Sequence, residues 1–173
     1  DKYCDIILVG DSLGMVLYGM KTTKEVKIET MILHGKAVKD STKKSLVVFD
    51  MPYKTYRNKQ EAYMNAMKII KATKCDALKL EGGKKIIDIV KYLLKKNIPI
   101  MGHVGLLPQS VKGRFRFKGR SLNERNKIIQ DAKVLSSAGV FAIVIECVEE
   151  SLAKIISKSI PVPTIGIGAS KYC

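Results

Sequence analysis

The chain has 173 residues, 46% of them hydrophobic, enough to bury the core of one domain and too many for a disordered chain. It has no run of 18 apolar residues, and Asp1-Lys2-Tyr3-Cys4-Asp5 lacks the layout of a secretory leader, so a soluble cytoplasmic protein with no membrane partner is expected. The formal charge of +15 attracts polyanions, but only five of the 31 basic residues are arginine and the lysines are spread over expected helix faces, which argues against nucleic-acid binding.

In chain order, the first apolar run, Ile6-Ile7-Leu8-Val9, reads as a strand leading into Gly10-Asp11-Ser12, and a helix is expected from Ile28 to Lys39. The second strand, Leu46-Val47-Val48-Phe49, ends at Asp50. The next helix, Lys59 to Ala72, places Tyr63, Met67 and Ile70 at i, i+4 and i+7. The third strand, Ala77 to Glu81, carries Lys79 and Glu81. Behind it, Lys84 to Lys96 gathers Ile86, Ile87, Val90, Leu93 and Leu94 into one stripe, with Lys84, Lys91 and Lys95 away from it. A fourth strand from Ile98 ends at His103. The stretch Gly105 to Ser121, with three Gly, one Pro and alternating basic and aromatic residues, reads either as a lid or as an exposed hairpin with Phe115 and Phe117 turned inward. A helix from Ile128 to Ala138 precedes the fifth strand, Ala142 to Glu146, and Leu152 to Ser157 precedes the sixth, Val162 to Ile167.

Short, nearly continuous apolar runs are what parallel strands buried on both faces look like, and helices between them supply the crossovers. The reading is therefore a single α/β domain over residues 1–173, either an open doubly wound sheet or a (β/α)8 barrel, for which six strands are too few. The five strand ends carry Asp11, Asp50, Glu81, His103 and Glu146. Ligands bind at the C-terminal ends of strands in such folds, so these groups form a candidate metal or acid/base site.

Each residue also has a plainer reading. Asp11 lies among glycines that let backbone approach a ligand, beside the donors of Ser12, but an Asp after a strand is often only a helix N-cap. Asp50 precedes Met51-Pro52, a stiff turn that would place its side chain. Lys79 and Glu81, two apart on one strand, share a side, and a buried Lys needs a partner. Three converging carboxylates suit Mg²⁺ better than zinc, which prefers His and Cys, and only two His are present. Glu146, on a different strand, is placed to handle protons. His103 stays open between ligand, substrate-facing donor and structural histidine. Cys4, Cys75, Cys147 and Cys173 form no Cys-x-x-Cys pair and read as reduced thiols.

Six motifs in register, Val9-Gly10-Asp11-Ser12-Leu13-Gly14-Met15, Phe49-Asp50-Met51-Pro52-Tyr53, Leu78-Lys79-Leu80-Glu81-Gly82-Gly83, Gly102-His103-Val104-Gly105-Leu106-Leu107-Pro108-Gln109-Ser110, Ile145-Glu146-Cys147-Val148 and Ile165-Gly166-Ile167-Gly168-Ala169, resemble the strand ends of the ketopantoate hydroxymethyltransferase family. The resemblance implies a (β/α)8 TIM barrel of which this chain supplies strands two to seven, lacking the first and last strand units. It implies transfer of a hydroxymethyl group from 5,10-methylenetetrahydrofolate to 3-methyl-2-oxobutanoate, giving ketopantoate for pantothenate and coenzyme A synthesis, in a cytoplasmic homo-oligomer of decamer type. Carried over by residue, Asp11, Asp50 and Glu81 hold Mg²⁺, with Glu81 acting through water. Asp11, Ser12, Asp50, Lys79 and His103 meet the substrate, and Glu146 is the catalytic base.

The chain departs from the family pattern in a loop about two residues shorter, with Arg114, Arg116 and Lys118 at commonly neutral positions, and in Ser170-Lys171-Tyr172-Cys173 after Ala169. The basic residues either meet the glutamyl tail of the folate or reflect a lysine-rich composition. Two other functional classes are kept alongside: a related Mg²⁺-dependent lyase or mutase of oxo acids, and a truncated, inactive barrel fragment serving only binding or assembly. An opening directly on a strand, without Met, leads us to expect a piece of a longer protein.

Overall fold

Apolar runs that end in glycine or a charged residue become the strands, and the lysine-faced amphipathic stretches become the helices between them. A computed structural model describes residues 1–111 and 113–173, so Lys112 of the basic loop lies outside the described residues. Contacts divide the chain into two compact units, Asp1–Lys79 and Leu80–Cys173.

The first unit runs β1 (Ile6–Val9), α1 (Leu13–Tyr18), α2 (Ile28–Ser41), β2 (Leu46–Asp50), α3 (Lys59–Thr73) and the first three residues of β3 (Ala77–Glu81), with a 3-10 turn at Thr23–Glu25. β1 pairs parallel with β2 from Ile6↔Leu46 to Val9↔Phe49, and β2 pairs parallel with β3 from Val48↔Ala77 to Asp50↔Lys79. Val47, Val48, Phe49, Leu78, Met31 and Ile69 are fully buried, each contributing about 1.5–3 kcal/mol by leaving water.

The α3 stripe expected from Tyr63, Met67 and Ile70 is displaced by one position. Ala62, Ala66, Ile69 and Thr73 are the buried residues, and the expected three lie half-buried on the flank. Two alanines let the helix approach closely, so packing favours the smaller face over the more hydrophobic one. Gly35 in α2 works likewise, since a Cβ there would lie 2.7 Å from the Phe49 ring. Asp76 ties the unit together: its carboxylate accepts Lys39 Nζ at 2.6 and 2.8 Å and the Val47 N–H at 2.8 Å, while its own N–H donates to Val47 O.

The second unit begins with Leu80 and Glu81 of β3 and continues through α4 (Ile87–Lys95), β4 (Ile100–Gly105), α5 (Leu122–Ala138), β5 (Ala142–Glu146), α6 (Glu150–Ser159) and β6 (Thr164–Ile167). β4 and β5 pair parallel from Met101↔Ala142 to Gly105↔Glu146, and β5 and β6 from Ile143↔Thr164 to Glu146↔Ile167. In α4 the expected stripe holds at Val90 and Leu93, Ile89 joins it, and Lys84, Lys91 and Lys95 are exposed. Helix α5 starts six residues before the expected Ile128, because Ser121 caps it by accepting the Glu124 N–H at 3.3 Å. The polar first turn, Leu122-Asn123-Glu124-Arg125, has no apolar periodicity to reveal it. Strand β4 starts two residues later than expected and runs two further, to Gly105.

Candidate functional site

In the first unit the turn after β1 is a run of backbone hydrogen bonds, Leu13 N to Gly10 O at 3.2 Å and Gly14 N to Asp11 O at 3.1 Å. Ser12, rather than Asp11, occupies the N-cap of α1, and its side chain is exposed. Asp11 is buried at 3% exposure, and its N–H donates to Asp50 Oδ2 at 3.3 Å. A Cβ on Gly10 would lie 3.2 Å from Ser12 Oγ and 4.0 Å from Asp50 Oδ2, so the missing side chain keeps open the space that these two oxygens border.

Register supplies the partner that buried Lys79 needs. Asp50 and Lys79 face each other across β2 and β3, and Lys79 Nζ lies 2.6 Å from Asp50 Oδ1, with the two side chains 3% and 4% exposed. Asp50 thus holds an ammonium on one oxygen and a backbone N–H on the other. The unit brings Asp11, Asp50 and Lys79 together at the ends of three adjacent parallel strands, with Ser12 at the mouth.

In the second unit His103, 1% exposed, lies between two carboxylates, with Nδ1 3.9 Å from Glu81 Oε1 and Nε2 3.2 Å from Glu146 Oε2. Glu81 is buried, and its Oε2 accepts the Gln109 N–H at 2.9 Å. Glu146 keeps 18% of its side chain exposed, so this carboxylate combines a buried neighbour with access to solvent. The backbone turns sharply after it. Cys147 has φ +46, a left-handed conformation strained for a residue with a Cβ, held by its N–H on Ile167 O and its O on the Lys118 N–H, both at 2.8 Å. Burial, and then the Glu146 charge, push the Cys147 thiol above its ordinary pKa, so it is not an activated nucleophile.

Sequence reasoning gave no role to Gln109, although it lies in a quoted motif, because the signal is a backbone N–H that only the turn at Pro108–Ser110 presents. The inward hairpin considered for Phe115 and Phe117 is not what forms, since both rings are more than 40% exposed. Alternation of basic and aromatic residues does not produce strand pairing here: among the described loop residues only Lys118 makes a bridge, a parallel one to Val148.

Among the described residues no group of three His, Cys, Asp and Glu is arranged to hold a metal. Mg²⁺ does not require three, because one or two carboxylates with water and substrate oxygens suffice. Asp11 and Asp50, buried in one unit and joined by the Asp11 N–H on Asp50 Oδ2, are two carboxylates of the kind that demand calls for.

The sequence matches the profile of ketopantoate hydroxymethyltransferase over residues 1–173. The chain belongs to this family. It is 60% identical over 173 residues to 3-methyl-2-oxobutanoate hydroxymethyltransferase of Pelagibacter ubique, covering all of this chain and 67% of that protein. It is 49% identical over 176 residues to the protein of the same name from Rhizobium etli, covering 64% of it. The chain therefore spans about two thirds of the length of these relatives. Among solved structures, 2,3-dimethylmalate lyase, a member of the PEP mutase/isocitrate lyase superfamily, superposes with TM-score 0.68 over 95% of this chain and 59% of its own, at 10% identity. A second crystal form of that lyase gives TM-score 0.61 over 91% and 55%, at 8% identity. At such identity the likeness speaks for the fold alone. The fold class is that of a (β/α)8 TIM barrel, represented here by six strands, and the doubly wound alternative is set aside.

Proposed function

We propose that this ketopantoate hydroxymethyltransferase chain serves transfer of a hydroxymethyl group from 5,10-methylenetetrahydrofolate to 3-methyl-2-oxobutanoate. The observation that carries the reading is the family match across every residue of the chain. The buried charges in each unit support it, since apolar cores do not otherwise retain such groups. The oxo-acid lyase alternative has in its favour only a likeness of fold, which different chemistries share.

The roles proposed for the residues follow the family reading and the geometry within each unit. Asp11 and Asp50 would hold Mg²⁺ within the first unit, and the family reading gives Glu81 a water-mediated part. When bound, the ion supplies Lewis-acid stabilisation to negative charge developing on the keto oxygen of the substrate. Lys79, fixed by Asp50, adds a positive charge for the same oxygen, and Ser12, exposed at the mouth, offers its hydroxyl to the substrate carboxylate. Glu146 removes the proton from C3 of the oxo acid. His103, with Nε2 3.2 Å from Glu146 Oε2, faces the substrate beside that carboxylate. The deprotonated C3 forms its bond to the one-carbon unit as the carbon–nitrogen bonds to the folate break, water supplies the hydroxyl oxygen of the new hydroxymethyl group, and tetrahydrofolate departs.

No described helix is long and apolar enough to cross a membrane. A cytoplasmic homo-oligomer completes the proposal, supported by Val16, Leu17 and Leu33, which are 79%, 63% and 71% exposed and suit a contact with another copy.

The test is exchange of the C3 proton of 3-methyl-2-oxobutanoate for deuterium, followed by NMR without folate. Exchange that requires Mg²⁺ and drops at least about 100-fold in Glu146→Gln is expected, the usual scale of a general base. Undiminished exchange in Glu146→Gln would remove that residue from the role of base.

A further inference from the structure

Residues 20–26 of the first unit form a short strap after α1 that no step of the proposed reaction uses. A missing side chain fixes its two ends. A Cβ on Gly14 of α1 would lie 2.2 Å from Val26 Cγ2 and 2.9 Å from Met20 Sδ, so both residues rest on the bare backbone of that helix. The Met20 N–H also donates to Gly14 O at 3.0 Å. Gly14 belongs to the segment that continues from Asp11. In the middle of the strap, Lys24 Nζ lies 5.6 Å from the centroid of the Tyr53 ring, and Tyr53 belongs to the segment that continues from Asp50. The strap therefore touches the continuation of both buried carboxylates.

Within the strap, the 3-10 turn Thr23–Glu25 is closed by the Thr22 N–H on Glu25 Oε1 at 3.1 Å and by the Val26 N–H on Thr23 O at 3.3 Å. Thr23 is the buried residue of this turn, at 2% exposure, and its hydroxyl has no hydrogen-bond partner among the described residues. Other threonines of the unit behave differently. Thr42, Thr55 and Thr73 donate to the carbonyl oxygens of Val38, Pro52 and Ile69 at 2.7, 2.6 and 2.9 Å. Thr23 stands at the first position of its turn, ahead of the carbonyls that the turn aligns. An unpaired buried hydroxyl lowers stability, and a valine would fill the same space without one, so packing does not account for a threonine here.

A buried hydroxyl left without a protein partner, under a strap that joins the Asp11 and Asp50 segments, is available to an oxygen that arrives with a ligand. The surrounding charge favours an anion. Lys24 and Lys54 lie 5.6 and 5.4 Å from the centre of the same Tyr53 ring, which brings two ammonium groups to the segment following Asp50. We infer that Thr23 Oγ1 donates a hydrogen bond to an oxygen of the oxo acid bound at the Asp11–Asp50 end of the first unit. The inference rests on the oxo-acid reading of the function and adds to it a contact from outside the strand ends. A hydrogen bond from a neutral hydroxyl to a charged oxygen is worth about tenfold in affinity. Because the hydroxyl is unpaired in the free protein, removing it leaves the stability of the free protein intact, and the two effects separate.

The test compares the full chain with its Thr23→Val and Thr23→Ser variants by calorimetric titration with 3-methyl-2-oxobutanoate in Mg²⁺, without folate, and by urea midpoints without ligand. Thr23→Val is expected to bind the oxo acid about tenfold more weakly while its midpoint equals or exceeds that of the parent, and Thr23→Ser, which keeps the hydroxyl, to bind within about threefold of the parent. A Thr23→Val variant that binds as tightly as the parent overturns the inference and leaves the function standing. A midpoint lowered by more than about 0.3 M in Thr23→Val does the same, since it would show the hydroxyl already bonded in the free protein. Thr23→Ser binding as weakly as Thr23→Val also overturns it, because the methyl and not the hydroxyl would then matter. A folded parent that binds no oxo acid overturns the proposed function and this contact with it.

Discussion

Lys79→Met removes the cation from the most deeply buried ion pair of the first unit. Lys79 Nζ lies 2.6 Å from Asp50 Oδ1, and the side chains are 3% and 4% exposed, so the carboxylate that remains has little access to water. The hydrogen bond from Asp11 N at 3.3 Å is too long to replace an ammonium. Breaking a buried pair from one side costs about 3–5 kcal/mol. With a urea dependence of about 1–3 kcal/mol per molar, a loss of 3 kcal/mol moves the unfolding midpoint down by about 1–3 M. Circular dichroism in urea at pH 7, with chelator present so that no divalent ion screens Asp50, reads the shift directly. The variant Lys79→Met with Asp50→Leu removes both charges, and because desolvation offsets most of what a buried pair gains, it should regain at least about half the lost stability. A single variant within about 0.3 M of the parent, or a double variant no more stable than the single, would show that Asp50 is not a desolvated charge and would refute the reasoning.

Three further outcomes are expected. Burial tends to raise Asp76, but the Lys39 ammonium and the Val47 N–H outweigh it and hold the carboxyl below its ordinary 3.8. Its folded pKa being depressed, its contribution is present above about pH 4 and lost as pH falls below 3.8, so Asp76→Asn should lower stability by about 1 kcal/mol near pH 7 and by progressively less in acid, as read from urea midpoints between pH 2.5 and 7. Gly35→Ala sets a methyl 2.7 Å from the buried Phe49 ring, and overpacking of about 1–3 kcal/mol should exceed the roughly 1 kcal/mol of helix propensity gained, giving a net loss in the same assay. Cys147, its thiol raised by burial and by Glu146, should react with iodoacetamide at pH 7.5 more slowly than exposed Cys4, the order being read by mass spectrometry of peptides; faster labelling of Cys147 would contradict the environment described.

The strands and their charged ends were legible because both signals are local. A parallel strand buried on two faces is mostly apolar, and an ionisable residue closing the run lies near its C-terminal end, which is how Asp11, Asp50, Glu81, His103 and Glu146 were picked out, although β4 runs two residues past His103. The partner of Lys79 was not legible, since it depends on the register between β2 and β3, which no spacing within either strand encodes. Nor was the inner face of α3, where hydrophobicity pointed to Tyr63, Met67 and Ile70 and close packing chose Ala62 and Ala66.

The buried charges of the first unit bear on function through their cost. Asp11, Asp50 and Lys79 are each 3% exposed, and a buried pair of this kind is commonly matched or bettered in stability by apolar side chains of similar volume. The fold therefore gains little from them that leucine and methionine would not give. What apolar residues cannot supply is a buried ammonium and two carboxylates, which under the proposed function would stabilise charge on a reacting oxygen without reorganising solvent. The same pair of measurements separates the two demands. If Lys79→Met with Asp50→Leu folds as well as the parent and yet performs no C3 exchange, stability and chemistry have been assigned to different residues of one short stretch of sheet.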